Sequence, residues 1–509
     1  MRNFYLTTAI DYANGAPHLG HAYEKVLADA IIRSQKMSGV ATYFVTGLDE
    51  HGQKVQQTAE RNGADPQAWC DQIAEKFQSL CAQLDIEYDR YIRTTESVHK
   101  NLVRESLQKL FSAGLIYKSS YKGFYSQTAE QFLQEKDRLE DGSWPKIYGD
   151  VQEVVEENYF FKLGQFQEWL VQHLNENEDF IFPKFRRSQV LEFLKEPLND
   201  LCISRPKARL SWGIPLPFDE NFVTYVWFDA LLNYVTAAGS APDLFEKNWP
   251  ASVHLIGKDI LVPPHAVYWP IMLKALGLAI PKTLVVHGWW LSSGEKMSKS
   301  LGNVVNPLDL IAEYGTDAFR YFLLKEMTVG QDGDFSLERF EIRYNTDLGN
   351  DLGNLVSRLL NMLNRYQEGE ILAPIGTDQA TEVLQSLAKE AFEKAPALYH
   401  GYQFPQALEA ISELIRGINR YAEAQAPWKL AKDASESAQQ ALRRTLFTMA
   451  EGLRVASVLL MPVIPNIARK IHSLMGLGAP GSFEEAAWGE GLIGHKVAGE
   501  AAILFPRKN

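Results

Sequence analysis

Cysteine is scarce: the 509 residues hold three, Cys70, Cys81 and Cys202, and no Cys-x-x-Cys pair. That shortage argues against a disulfide framework and against a thiolate zinc knuckle, and suits a reducing compartment. No uninterrupted apolar stretch approaches the roughly 18 residues that would suggest a membrane span. Met1-Arg2-Asn3-Phe4-Tyr5-Leu6 runs straight into an apolar, strand-like segment. It lacks the charged lead and long apolar run of a signal or transit peptide, so a cytoplasmic protein is expected. Internal repeats and low-complexity runs are missing too. So is a positive balance: the formal net charge is −12, whereas chains that hold nucleic acid by bulk charge are basic. An RNA partner would have to be held by a local basic face and specific base contacts.

What is present suits large cores. At 46% hydrophobic and 11% aromatic, the chain is expected to form two to four domains. Asn3 to Thr8 reads as a strand, ending at the turn signal Tyr12-Ala13-Asn14-Gly15. From His21 to Met37, Val26, Leu27, Ala30 and Ile31 recur at helical spacing. Ala41 to Thr46 reads as a second strand closed by Gly47, which implies a parallel βαβ unit with a right-handed crossover. Residues from about Tyr121 to Trp212, acidic and weakly periodic, read as an inserted small mixed subdomain. Buried-type strands are then expected at Phe222 to Phe228, Val253 to Ile256 and Leu284 to Val286, with a helix around Ala266 to Leu276. Pro307 to Lys325 reads as one helix, and 345–475 as an antiparallel helix bundle. The Gly- and Ala-rich tail beyond Gly476 reads as an extended segment packing back on the body.

The chemistry-bearing residues follow the strands. Ile10, Asp11 and Tyr12 come after the first, Asp49, Glu50 and His51 after the second, Gly257, Lys258 and Asp259 after the third, and His287 and Gly288 after the fourth. Open parallel sheets bind ligands at such carboxyl ends. In Pro17-His18-Leu19-Gly20-His21, two imidazoles stand at the entry to the first crossover helix, where N–H groups and a partial positive charge favour phosphate. They can donate to a phosphoryl group as its charge redistributes, and Gly20 leaves room for a flat base. Taken alone, they read more readily as capping or surface residues. Lys296-Met297-Ser298-Lys299-Ser300 is a dibasic, hydroxyl-bearing loop able to close over a triphosphate, or a solvated surface loop. Both motifs on one α/β frame favour a shared polyphosphate ligand.

Together these segments resemble the class I aminoacyl-tRNA synthetases, with His18 to His21 matching the HIGH motif and Lys296 to Ser300 the KMSKS loop. Among them the chain is most similar to the methionyl-tRNA synthetase family. The likeness runs through Ala9 to Gly15, Gly47 to Gly52, Val226-Trp227-Phe228-Asp229-Ala230, Gly257-Lys258-Asp259-Ile260, Val286-His287-Gly288, Gly353 to Arg358 and Ala426-Pro427-Trp428, nearly the whole chain. It implies a Rossmann-like parallel-sheet catalytic domain at 1–118 and 223–300, interrupted by a connective insertion at 119–222. A stem-contact region at 301–344, an all-α anticodon-binding domain at 345–475 and an extended segment at 476–509 would follow.

The resemblance implies a methionine–tRNA ligase. Methionine and ATP would give methionyl-adenylate and pyrophosphate, and the methionyl group would pass to the 3′ end of tRNA(Met), elongator and initiator. It assigns catalysis to His18, His21, Lys296 and Lys299, and ATP binding to these with Gly20, Gly257, Asp259, Met297 and Ser298. The methionine pocket would be Ala9, Ile10, Tyr12, Asp49, Trp227, Ala230, Tyr234 and His287. Aromatic edges suit the polarizable sulfur, and Asp49 suits the ammonium group. Tyr12 or His287 would offer sulfur a weak polar contact, while Lys258 reads equally as a surface residue. Asn354, Arg358 and Trp428 would read the anticodon, whose splayed bases stack on aromatics and bond at their edges. Mg²⁺ would arrive on the ATP phosphates.

Three departures carry expectations. Ser126 and Ala129 stand where relatives carry zinc-knuckle cysteines, so no structural zinc and no metal site are expected. Asp11 replaces a common proline without altering the chemistry. No oligonucleotide-binding domain follows Asn509, which points to a monomer. Among rivals, enzymes for isoleucine, valine and leucine carry a large editing domain, longer than this insertion of about a hundred residues. A cysteine-specific enzyme would need thiolate zinc ligands. Intact His18, His21, Lys296 and Lys299 argue against an inactive tRNA-binding paralogue, and a small-molecule adenylyltransferase leaves the helical domain unexplained.

Overall fold

Near-continuous apolar runs become parallel strands where both faces of a sheet are covered, and this chain builds a seven-stranded sheet from such runs. The computed structural model describes residues 2–126, 131–133, 135, 138–139, 141–239, 241–292, 294–296, 305–489, 491–499 and 503–507. Strands of the sheet are β1 (Phe4–Thr8), β2 (Asp11–Tyr12), β3 (Thr42–Asp49) and β4 (Arg90–Arg93). A four-stranded antiparallel sheet contains β5 (Ile116–Ser126), β6 (Gln131–Leu133), β7 (Val151–Phe161) and, after β8 (Ile181–Phe182), β9 (Leu201–Cys202). A three-stranded antiparallel sheet follows from β10 (Ser204–Pro206), β11 (Pro215–Leu216) and β12 (Asp219–Thr224). β13 (Val253–Gly257) and β14 (Thr283–His287) then complete the large sheet.

Its order is β2-β3-β1-β13-β14-β8, with β4 also beside β3. Leu6 pairs with Val253, Asp11 with Leu48, Val45 with Arg90 and Leu284 with Ile181, all in parallel. The core strands are buried throughout at 253–257 and nearly so at 4–8 and 283–287.

The chain divides into two compact units. The first comprises Met1–Ala16, Val45–Gln78 and Asp89–Val286; the second comprises Pro17–Phe44, Ser79–Tyr88 and His287–Asn509. In the first, the expected strand Phe222 to Phe228 is corrected. Strand β12 ends at Thr224 and pairs in the small antiparallel sheet, and Val226–Leu231 is a helix. Helix entry is marked by the Phe228 and Asp229 amides donating to Tyr225 O at 3.0 and 3.3 Å. A short apolar run does not distinguish strand from buried helix.

In the second unit the first crossover helix spans Leu19–Met37 and is buried on nearly every face. The single helix expected from Pro307 to Lys325 is two, Pro307–Tyr314 and Thr316–Glu326. Gly315 divides them at φ +88°, a conformation that side chains disfavour. Arg320, fully buried, donates to Asp29 Oδ2 (2.6 Å), Val463 O (2.8 Å) and Leu84 O (3.0 Å). It thereby ties the Leu19–Met37 helix to the turn after Leu460.

Long helices Gln379–His400, Phe404–Gln425 and Glu436–Leu460 pack mutually. Their buried positions recur at helical spacing: Leu384, Ala388, Ala391 and Ala395 on one, Ile411, Leu414 and Ile418 on the next. The tail is turn-rich and tethered by Val497 N to Gly369 O (2.8 Å) and Ala498 N to Leu474 O (2.8 Å). Among the described residues no helix is long and apolar enough to cross a membrane.

Candidate active site

In the first unit, the turn after β1 lies against the end of β3. Tyr12 pairs in register with Asp49, Ala13 N donates to Asp49 O (2.9 Å), and Ala9 N donates to Leu255 O (3.0 Å). Ala9, Tyr12 and Asp49 are thus fixed by backbone pairing rather than by loose loops, with Ile10 between Ala9 and the paired residues. Asp49 is buried, and the Lys54 ammonium lies 5.9 Å from the Tyr12 ring centre. Gly257 ends β13 buried, and Lys258 and Asp259 form the short turn of helix beyond it, with Asp259 exposed.

Trp227 and Ala230 lie on the Val226–Leu231 helix, and Tyr234 on Asn233–Ala238. The Tyr234 hydroxyl is 2.7 Å from His265 Nε2, and His265 Nδ1 is 2.8 Å from Ile260 O. A carbonyl can only accept, so Nδ1 carries a ring proton, and in the neutral ring Nε2 accepts the Tyr234 hydroxyl proton. Trp227 meets His265 edge to face at 6.3 Å. Behind them, Trp269 Nε1 donates to His254 Nε2 (3.1 Å), leaving Nδ1–H for Thr7 Oγ1 (2.6 Å). Burial, and then His265, hold His254 well below the usual imidazole range. Aromatic rings thus line this part of the unit, an environment that suits an apolar, polarizable side chain. His265, which sequence reading missed, could have been sought as the one histidine following Gly257-Lys258-Asp259 within a turn or two of helix.

A buried carboxylate runs through the same unit. Asp229 accepts from His51 Nδ1 (2.6 Å) and His99 Nε2 (2.7 Å). Burial would raise its pKa, but these two imidazoles outweigh it and pull the carboxyl down to about 2. This trio also escaped the sequence, since its members are 178 and 130 residues apart.

In the second unit, His18 is the N-cap of the Leu19–Met37 helix. Its Nδ1 accepts from the Gly20 amide (3.1 Å), and His21 Nδ1 accepts from the His18 amide (3.1 Å). The bland reading, capping, is therefore real, and it leaves a chemical consequence. With Nδ1 accepting in both rings, each neutral imidazole carries its proton on Nε2, as a donor. Burial, followed by the charges of His18 and Lys25, keeps His21 well below the usual range. The rings stack at 3.8 Å. A Cβ on residue 20 would stand 3.0 Å from the His18 ring, so Gly20 serves this cap.

One turn on, Glu24 Oε1 accepts from Lys25 Nζ (3.1 Å) and Oε2 lies 3.1 Å from His287 Nε2. His287 Nδ1 donates to Gly288 O (2.7 Å), and Tyr23 meets its ring edge to face at 5.4 Å. These are the partners of His287, assigned from sequence to the amino-acid pocket. Lys296 belongs by its backbone to β16 (Glu295–Lys296), paired with β15 (Trp290–Ser292). Met297, Ser298, Lys299 and Ser300 lie outside the described residues.

Comparison with known proteins decides the family. The family model described as tRNA synthetases class I (M) matches residues 4–150 and 138–360. The chain belongs to the class I (M) tRNA synthetases. The methionine–tRNA ligase of Fusobacterium nucleatum is 43% identical over 99% of this chain and 80% of that protein. That of Deinococcus radiodurans is 44% identical over 99% of this chain and 74% of its own length. The solved structure of Mycobacterium tuberculosis methionyl-tRNA synthetase in complex with methionyl-adenylate covers all of both chains, at 39% identity and a TM-score of 0.95.

This class I (M) member also carries a groove in its helical part. It measures about 780 Å³ and is lined by Asn354, Arg358 and Trp428 together with Asn361, Arg365 and Tyr366, among others. Arg358 is held by Glu423 Oε1 (2.5 Å) and Asn419 Oδ1 (3.2 Å), while its buried Nε has no hydrogen-bond partner among the described residues. In the inserted region, Ser126 Oγ donates to Tyr148 O (2.5 Å), and Ala129 lies outside the described residues. Among the described residues no three His, Cys, Asp or Glu side chains converge as metal ligands.

Proposed function

We infer that this chain activates L-methionine with ATP and transfers the methionyl group to tRNA(Met). The observation that carries the reading is the likeness to methionine–tRNA ligases across 99% of the chain, joined to a structural neighbour that holds methionyl-adenylate. In the first step, a methionine carboxylate oxygen attacks the α-phosphorus of ATP and pyrophosphate leaves with the bridging oxygen's electron pair. In the second, a hydroxyl of the tRNA's terminal ribose attacks the carbonyl carbon, AMP leaves, and the hydroxyl proton is released. No covalent enzyme intermediate is needed; positioning and electrostatics lower the barrier.

The residues divide the work as follows. Asp49 takes the ammonium group, with Ala9, Ile10 and Tyr12 around it. Trp227, Ala230, Tyr234 and the newly found His265 receive the thioether, and His287 supports the pocket. Gly257 and Asp259 bind ATP beside Gly20. Nε2–H of His18 and of His21 donate to the phosphates as charge redistributes, and Lys296 and Lys299 neutralise the leaving pyrophosphate. Mg²⁺ arrives on the nucleotide. Asn354, Arg358 and Trp428 read the anticodon. The protein works as a cytoplasmic monomer.

The test is exchange of labelled pyrophosphate into ATP with each amino acid in turn. Methionine should support it and leucine, isoleucine and cysteine should not; exchange with one of those and none with methionine would overturn the assignment.

A further inference from the structure

The short helix Val226–Leu231 carries Trp227 and Ala230, and so cannot be held by its own backbone bonds alone. Its one buried charge is Asp229, fully removed from solvent. Oδ2 takes a hydrogen bond from His51 Nδ1 at 2.6 Å. His51 follows Asp49 by two residues, and the backbone between them is pinned. Glu50 N donates to Thr94 Oγ1 (2.9 Å), Glu50 O accepts from Trp212 Nε1 (2.6 Å), and the Trp212 ring lies 5.6 Å from that of His51. The other oxygen, Oδ1, takes His99 Nε2 at 2.7 Å, and His99 Nδ1 lies 2.8 Å from Thr236 Oγ1. Thr236 is two residues after Tyr234, on the neighbouring helix. One carboxylate therefore joins the turn that bears Asp49, the helix that bears Trp227 and the helix that bears Tyr234.

We propose that Asp229 is a positioning residue that sets the span between the Asp49 carboxylate and the Trp227–Tyr234–His265 wall, and so fixes the length of amino-acid side chain accepted. The proposal rests on the reading above, in which Asp49 binds the ammonium group and the wall receives the thioether. Charge-assisted bonds at 2.6–2.7 Å on both carboxylate oxygens resist stretching more than neutral ones do. A pocket floor held this way discriminates by length because it does not drift to fit. Asp229 itself touches no reacting atom.

The experiment compares wild type with Asp229→Asn, which keeps the shape and removes the charge, in pyrophosphate exchange with methionine and with ethionine, one methylene longer. Asp229→Asn should raise KM for methionine about tenfold or more while leaving KM for ATP within about twofold, because misplacement by an ångström costs on that scale. It should also narrow the methionine-to-ethionine ratio of kcat/KM several-fold, against the roughly 10–200-fold that one methylene is worth in a rigid pocket. A folded variant with unchanged methionine KM and unchanged ratio overturns the proposal. So does a rise of both KM values by one factor, the mark of a merely structural role. Should Asp229→Asn not fold, His51→Gln is judged by the same criteria. Absence of methionine-dependent exchange in the wild type would instead refute the functional reading.

Discussion

Arg320 and Asp29 form an ion pair at 2.6 Å with neither side chain exposed to solvent. Burial alone would raise the Asp29 pKa, but Arg320, Arg33 and the Glu87 amide outweigh it and hold the carboxyl below its ordinary value. A depressed carboxylate stabilises the fold above its unfolded pKa, and that stabilisation is lost as pH falls through the folded value. Removing one partner of a buried pair strands the other. Asp29→Asn is expected to cost about 3–5 kcal/mol at neutral pH, read as a lower urea midpoint. An unchanged midpoint would show that the surrounding carbonyls, not the carboxylate, hold Arg320.

The cap made by His18 and the donor role proposed for it can be separated. Asparagine presents an oxygen near the place of Nδ1 and caps well, but has nothing at Nε2. His18→Asn should therefore retain the wild-type melting temperature to within a few degrees while losing about 10²–10³-fold in the exchange rate, the scale for one transition-state donor. Glutamine reverses the trade, reaching towards Nε2 but capping poorly. If His18→Asn exchanged at the wild-type rate, the Nε2 proton would have no part in the chemistry.

Asp229 should leave a signature in acid. Its carboxyl sits at about 2 in the folded protein, against about 3.9 unfolded. The difference corresponds to roughly 2–3 kcal/mol of stability, fully present above about pH 5 and lost progressively towards pH 2. Melting temperature against pH should therefore fall less steeply across that window in Asp229→Asn than in wild type. Parallel curves would mean that other carboxylates carry the acid limb.

Trp428 is half-buried on the rim of the groove that holds Asn354 and Arg358. A base stacked on it is worth about 1–3 kcal/mol. Trp428→Ala should lower kcat/KM for charging tRNA(Met) tenfold or more and leave pyrophosphate exchange untouched. Equal losses in both assays would overturn the anticodon role proposed for it.

Much of this was legible in the sequence because it is local. Apolar runs at Phe4–Thr8, Val253–Gly257 and Thr283–His287 announce strands, and two histidines around Gly20 announce a helix entry. Val226–Leu231 was misread because six residues of buried helix and six of buried strand share one composition. The Tyr234–His265 pair and the His51–Asp229–His99 trio were invisible for another reason. Nothing in a segment tells which distant group its polar atom will meet, and these partners are 31 to 178 residues apart.

Each histidine of the first motif bonds a backbone amide at the helix start, so the donor role proposed for these positions would come on top of a folding role. Loss of the first role would not release the second. A lineage that stopped making adenylate would drift at position 18 towards asparagine, aspartate, serine or threonine, the residues that cap as well, rather than at random. Such a substitution in a related sequence would mark a chain that still folds and no longer reacts.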